Sequence, residues 1–139
     1  MGETFAEVTL ISNSKQLKKR LCVDTGATYS WISADTLKKL GVKPIGIREF
    51  VTIEGKHIPK SIGEVLVECF SRRIHTVVVF ATKKDSEVLG LHALEGLALE
   101  VDPINQKLKK SRAIKALTVR QIEKIPLNPP FKKGERRRK

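Results

Sequence analysis

The chain has 139 residues and a mass of 15.6 kDa, the size of one domain with room for a short appendage. Hydrophobic residues make up 40% and charged residues 30%, which supplies a modest core and excludes global disorder, while nine Gly and six Pro spread along the chain exclude a collagen-like or Pro-rich fibre. The net charge of +12 is uneven: residues 111–139 carry ten basic and two acidic side chains, +8, leaving +4 for residues 1–110, so a nucleic-acid function for the whole chain is not indicated.

From Thr4 to Ile11, Ala6, Val8 and Leu10 alternate with Glu7 and Thr9, the period of a half-buried strand. Ser12-Asn13-Ser14 predicts a turn. Leu17, Lys19, Leu21 and Val23 share one face of a second strand, which delivers Asp24 at its end. Ser33 predicts the N-cap of a short helix running to Leu40, with Gly41 as its stop and Pro44 beyond. Phe50-Val51-Thr52-Ile53 and Ile58 flank Glu54-Gly55-Lys56-His57, which predicts a β-hairpin with Gly55 at the tip. Val65 to Phe70 and Ile74 to Ala81 predict two strands around a Ser71-Arg72-Arg73 turn. Val88-Leu89-Gly90 is a short apolar run, followed by a helical turn from His92 to Gly96. The last strands fall at Leu97 to Val101 and Lys107-Leu108, split by Asp102-Pro103-Ile104-Asn105. Short strands at close spacing with one or two small helices predict an all-β, barrel-like domain over residues 1–110. Beyond it, Ile114, Leu117, Ile122 and Ile125 share one helical face until Pro126. Residues 111–139 therefore read as a basic C-terminal tail, with a short amphipathic helix over 111–125 and a disordered remainder over 126–139.

Other function classes find little support. The longest purely apolar run, Val77 to Ala81, is far short of the ~20 residues of a spanning helix, so no membrane span is expected. Met1 to Ala6 lacks the basic and apolar regions of a secretory signal, and Ala6 stands where myristoylation wants Ser or Thr, which sets a cytoplasmic expectation. Cys22 and Cys69 form no Cys-x-x-Cys pair and are expected to be small buried thiols. His57, His75 and His92 lie 18 and 17 positions apart, without local metal-ligand spacing, so neither a metal nor another cofactor is expected. Trp31 and Phe80 are expected in the core. Ser30 and Ser33 stand in no Gly-x-Ser-x-Gly setting. The runs Lys107-Leu108-Lys109-Lys110 and Arg136-Arg137-Arg138-Lys139 read as solvated charge, with weak non-specific nucleic-acid contact by the tail as an accessory property.

The sharpest signal is Leu21-Cys22-Val23-Asp24-Thr25-Gly26-Ala27-Thr28, an apolar strand running into Asp-Thr-Gly. Alone, that triplet also fits a strand end closed by an Asx turn, in which Asp accepts from nearby amides and Gly relieves the backbone. A second element, Val88-Leu89-Gly90, and the hairpin at Glu54-Gly55-Lys56 between the two make the set more specific. Taken together, over about residues 5–108, they resemble the retropepsin-like aspartic proteases, single-domain enzymes with a closed β barrel and one or two short helices. The resemblance implies that Asp24, Thr25 and Gly26 form the catalytic loop. It implies substrate contacts from Ala27, Thr28 and Tyr29, from a flap spanning Val51 to Ile58 with Ile53, Glu54, Gly55 and Lys56 at its tip, and from Val88, Leu89 and Gly90. Thr25 would fix the loop through its hydroxyl, and Gly26 would let a substrate backbone come close.

Hydrolysis in such a family needs two adjacent carboxyls sharing one proton, so that one takes a proton from water while the other gives one to the substrate carbonyl. Asp24 is the only Asp in an Asp-[Thr/Ser]-Gly setting; Asp35-Thr36-Leu37, Asp85-Ser86-Glu87 and Asp102-Pro103 all fail. One chain thus supplies one carboxyl, and the expected form is a two-fold homodimer acting on extended peptides or unfolded protein. Leu91-His92 stand where retroviral relatives carry Arg followed by Asn or Asp, so an ion-pair support for the dimer is missing. Thr28-Tyr29 replace acidic residues that hold substrate backbone, and the flap has one Gly where the retroviral flap is Gly-rich, implying a stiffer flap. These departures motivate the alternative of a non-catalytic, protease-like module for peptide binding or assembly.

Overall fold

In the computed structural model, which describes residues 3–114 and 116, chain order runs from one hairpin into a loop and a short helix, then through a second and a third hairpin. Strands β1 (Phe5–Ser12) and β2 (Lys15–Asp24) pair antiparallel across a two-residue turn in which Asn13 and Ser14 take positive φ. Positive φ at both positions matches the right-handed twist of the flanking strands, and Asn tolerates it better than most residues. The Asn13 amide also donates to the carbonyls of Leu40 and Gly41 at 2.9 and 3.0 Å, fastening the turn to the end of the first helix. That helix, α1 (Ala34–Lys39), starts where expected: the Ser33 hydroxyl accepts from the Thr36 amide at 3.1 Å, Asp35 lies in the first turn, and Lys38 and Lys39 in the last.

Between loop and helix lies a strand that the sequence pattern misses, β3 (Ser30–Ser33). Strand β4 (Gly46–Val51) and the first half of β5 (His57–Cys69) form the second hairpin, and β5 continues without a break into its pairing with β6 (Arg72–Ala81). The turn between β5 and β6 is Phe70-Ser71, both at positive φ, rather than the Ser71-Arg72-Arg73 expected. Then follow β7 (Val88–Gly90), helix α2 (Leu91–Leu97) and the small separate hairpin of β8 (Leu99–Asp102) and β9 (Lys107–Lys110). Arg72 closes the C-terminus of α2, donating to the carbonyls of Leu97 and Ala98 at 3.1 and 2.6 Å.

The main sheet has the order β1-β2-β7-β3-β6-β5-β4, and β1 also pairs with β5 from Thr9↔Glu68 to Ile11↔Leu66. Six strands therefore close into an all-β barrel with no free edge, leaving β4 outside as an edge strand on β5. Inside, Val8, Leu10, Leu21, Ile32, Leu37, Val65, Val67, Val78 and Leu89 make a continuous core against which Phe80 packs, as expected for Phe80. Cys69 is buried in it, whereas Cys22 is only half-buried, a correction to the expectation of two buried thiols. Among the described residues no helix is long and apolar enough to cross a membrane. After β9 the backbone from Ser111 to Ile114 is irregular, its Ser111 amide bonded to the Ala98 carbonyl, so the helix expected over 111–125 does not begin there. The rest of that helix, and the expectation of disorder over 126–139, lie outside the described residues.

Candidate active site

Two strands of the barrel run parallel side by side, β2 and β7, and their register sets Asp24 opposite Gly90. Beyond Asp24 the chain turns out of the sheet. The Gly26 amide donates to Asp24 Oδ1 at 2.9 Å and the Ala27 amide to the Asp24 carbonyl at 3.1 Å, the Asx turn that the triplet permits. Asp24, Thr25 and Gly26 are exposed, with one Asp24 oxygen engaged by the Gly26 amide and the other open to solvent. A hollow of about 370 Å³ beside the loop is lined by Glu3, Thr4, Cys22, Val23, Asp24, Thr25 and Val101. Burial first, then the negative charges of Glu3 and Asp24, push the Cys22 thiol pKa up, keeping it protonated and inert.

The loop is held from behind by the segment after β7. The Leu91 amide donates to the Ala27 carbonyl at 2.8 Å and the His92 amide to the Thr28 carbonyl at 2.9 Å. At the fully buried centre of this contact the Gly90 amide donates to Ser30 Oγ at 2.9 Å. The approach is so close that a Cβ on Gly90 would lie 2.4 Å from the Tyr29 carbonyl oxygen and 2.9 Å from that of Ala27. The apolar-apolar-Gly run is thereby explained: Leu89 fills the core, Val88 faces the other way, and only Gly lets the two loops touch. Leu89 is wholly buried, so the expectation that it touches substrate is corrected; it supports the site from the core. Gly90 is likewise buried beneath the loop and contributes spacing rather than contact. Within the chain the Thr25 hydroxyl makes no hydrogen bond among the described residues; the bonds that hold the loop come from Asp24, Ser30 and two backbone amides.

The hairpin of β4 and β5 ends in a five-residue tip, Thr52 to Lys56, closed by the Thr52 amide on the Lys56 carbonyl at 2.8 Å and the Gly55 amide on the Thr52 carbonyl at 2.9 Å. Lys56 donates its amide to Thr52 Oγ1 at 3.0 Å, and Gly55 takes φ +88 with nothing near its missing Cβ. Ile53, Glu54, Gly55 and Lys56 are all exposed, Ile53 completely. Close to its tip, the hairpin meets the chain after Asp24 through aromatic rings. Phe50 on β4 stands edge-on to Tyr29 at 6.3 Å between centroids and to Trp31 at 5.2 Å, and Tyr29 stands edge-on to His92 at 5.8 Å. Trp31 is thus half-buried outside the barrel core, contrary to expectation, and Phe50, His92 and Ser30, none of them among the expected site residues, join the site. Spacing offered no sign of them, because strand pairing and loop crossing bring them together.

A closed barrel with an exposed Asp-Thr-Gly loop, an apolar-apolar-Gly strand behind it and a hairpin leaning on it defines the aspartic protease class, as the resemblance implied. A family model for aspartyl proteases matches residues 6–93, and the chain belongs to that family. No curated protein matches it. Among solved structures it is similar to the protease of simian foamy virus (mac), determined in solution, at 17% sequence identity and a TM-score of 0.45, covering 65% of this chain and 90% of that one.

Proposed function

We propose that the protein is an aspartic endopeptidase active as a two-fold homodimer, in which Asp24 meets the Asp24 of a second copy. The observation that carries this reading is a lone acid of the required triplet on a rigidly backed, exposed loop, in a chain belonging to the aspartyl protease family. Two carboxyls brought together cannot both ionise cheaply, so they share one proton. The ionised one takes a proton from a water between them, and the resulting hydroxyl attacks the peptide carbonyl carbon. The protonated one gives its proton to the carbonyl oxygen, forming a neutral gem-diol. Collapse of that diol breaks the C–N bond as the protonated carboxyl gives its proton to the amine nitrogen and the ionised one takes a proton from a diol hydroxyl. This leaves the carboxylic acid, the free amine and the pair with its one shared proton. In this reading Ala27, Thr28, Tyr29 and the hairpin tip Ile53 to Lys56 contact an extended peptide between loop and flap, whose backbone pairs with strand edges. Residues 1–110 form the catalytic domain in this reading, and the basic tail adds weak, salt-sensitive contact with nucleic acid.

The test is Asp24→Asn. Pepstatin-sensitive cleavage of an unfolded protein at mildly acidic pH should vanish while the dimer, read by analytical ultracentrifugation, persists. Equal activity in that variant, or a strictly monomeric active protein, refutes the mechanism. The alternative, a protease-like module that binds peptides without cutting them, draws on Thr28-Tyr29 and Leu91-His92, where catalytic relatives carry charged side chains. Intact peptide binding without turnover anywhere between about pH 3 and 7 would favour it.

A further inference from the structure

The barrel has a second apolar surface besides its core. Residues in register across paired strands project to the same side, and so do residues two apart on one strand. The register Asp24↔Gly90, Cys22↔Val88, Trp31↔Val88, Trp31↔Val79 and Ile62↔Val79 therefore puts Asp24, Val88, Trp31, Val79 and Ile62 on one continuous face, opposite to the core residues Leu21, Leu89, Ile32 and Val78. This face runs from Asp24 to the root of the hairpin and, in the peptidase reading, is the floor over which the peptide lies. Val79, Ile62 and Val88 are 0%, 4% and 8% exposed. Trp31 is in register with Val79 of β6 and Val88 of β7, the Phe50 ring stands 5.2 Å from its ring, and the Lys60 ammonium sits 5.8 Å over it. Phe50 meets both Tyr29 and Trp31 edge to face.

We infer that Phe50, wedged between Tyr29 and Trp31 over an already covered floor, is a specificity-determining residue. It restricts the peptide side chain that points at this wall, next to the scissile bond, to small ones such as Gly, Ala and Ser. The inference deepens the peptide-hydrolysing reading above and rests on it. A Leu or Phe side chain there must displace a packed ring from β4, and overpacking of that kind costs enough to reject it about 10- to 100-fold. Phe50 sits on the flap strand, so each side chain is gauged as the flap comes down rather than on first encounter.

The experiment uses the full chain and a peptide series carrying Ala, Leu or Phe on each side of a fixed cleavable bond. Wild type should cleave the Ala peptides at least about 10-fold faster in kcat/KM than the Leu and Phe peptides, and Phe50→Ala should erase or invert that order. Phe50→Leu keeps apolar cover and should move the ratio in the same direction by less, which guards against a misfolded Ala variant. Trp31 is the only tryptophan, so its emission reports binding without catalysis when the same peptides are titrated into Asp24→Asn protein. Cleavage or emission changes that ignore side-chain size, or a size order unchanged in both Phe50 variants, overturn the inference and leave the hydrolase reading standing. A size-graded emission response in a protein that never cleaves supports the inference and removes the hydrolase. No response of either kind to any peptide overturns both.

Discussion

The contact between Gly90 and the Asp24 loop makes the sharpest demand of this structure on a single atom, and Gly90→Ala tests it. The added methyl carbon would stand 2.4 Å from the Tyr29 carbonyl oxygen, 2.5 Å from its carbonyl carbon and 2.9 Å from the Ala27 oxygen. All three are backbone atoms, so no side chain can swing aside, and one loop must move by about 1 Å to restore ordinary contact near 3.4 Å. That displacement stretches the bonds from Leu91 to Ala27 and from His92 to Thr28 and breaks the buried bond from Gly90 to Ser30. Overpacking of about 1–3 kcal/mol plus about 1 kcal/mol for each of two to three weakened bonds gives a loss of about 3–6 kcal/mol. For a domain of this size that is a fall in Tm of roughly 12–24 °C. Differential scanning calorimetry measures it, with Gly55→Ala as the comparison: φ there is +88 with open space around it, so only conformational strain of about 1–2 kcal/mol applies. If Gly90→Ala melts within about 3 °C of wild type, or no lower than Gly55→Ala, close backbone approach is not the reason for glycine at this position.

Ser30→Ala leaves the buried Gly90 amide without an acceptor and should cost about 1–3 kcal/mol, read by urea denaturation, with a larger relative loss of peptide cleavage than of stability because the loop carrying Asp24 is displaced. Arg72→Met removes two donors from the C-terminal carbonyls of α2 while keeping the apolar stem, and should lower stability by about 1–3 kcal/mol, with faster amide exchange across Leu94 to Ala98. Burial raises the pKa of the Asp85 carboxyl, but the Lys60 hydrogen bond and the Thr82 amide and hydroxyl outweigh it, so the group sits below the ordinary carboxylate range. A depressed folded-state pKa means stability that is fully present above the unfolded value of about 4 and is lost as pH falls through the folded one. Lys60→Met should therefore destabilise at pH 7, and the gap to wild type should narrow in denaturation series below about pH 4; a constant gap refutes the assignment.

Strands β1, β2 and β6, the N-cap at Ser33, the stop at Gly41 and the loop at Asp24 were legible because each depends on residues within a few positions of one another. What escaped depends on long-range contact or on unusual backbone. Strand β3 is four residues long, too short for alternation to register, and Ser33 within it doubles as a helix cap. The Phe70-Ser71 turn uses positive φ at two residues without Gly or Asn, so the polar run after it attracts the turn assignment. Ile58 and the strand over Val65 to Phe70 read as separate, whereas β5 runs unbroken from His57 to Cys69. At Pro59 the strand has only β4 as a neighbour, since pairing with β6 begins at Ile62, so the missing amide costs at most one ladder bond. Trp31 looked like core because it is large and apolar, yet one position of register separates the core face from the cleft face, and only strand pairing settles which face it takes.

The same geometry bears on the departures at Thr28-Tyr29 and Leu91-His92. The bonds that hold the Asp24 loop in place run from the amides of Leu91 and His92 to the carbonyls of Ala27 and Thr28, so they are indifferent to the four side chains involved. Side-chain identity enters only at Gly90, where size is forbidden, and at Ser30, whose oxygen is required. The loop can thus keep its geometry while its surface changes chemistry. Here the freed positions have gone to aromatic contact, with Tyr29 bridging His92 on one side and Phe50 of the flap strand on the other. A loop built this way separates positioning, done by backbone beneath, from selection, done by side chains above. Substitutions at Tyr29 or His92 should then alter peptide preference while the melting temperature stays within a few degrees of wild type, whereas changes at Ser30 or Gly90 should lower both stability and cleavage.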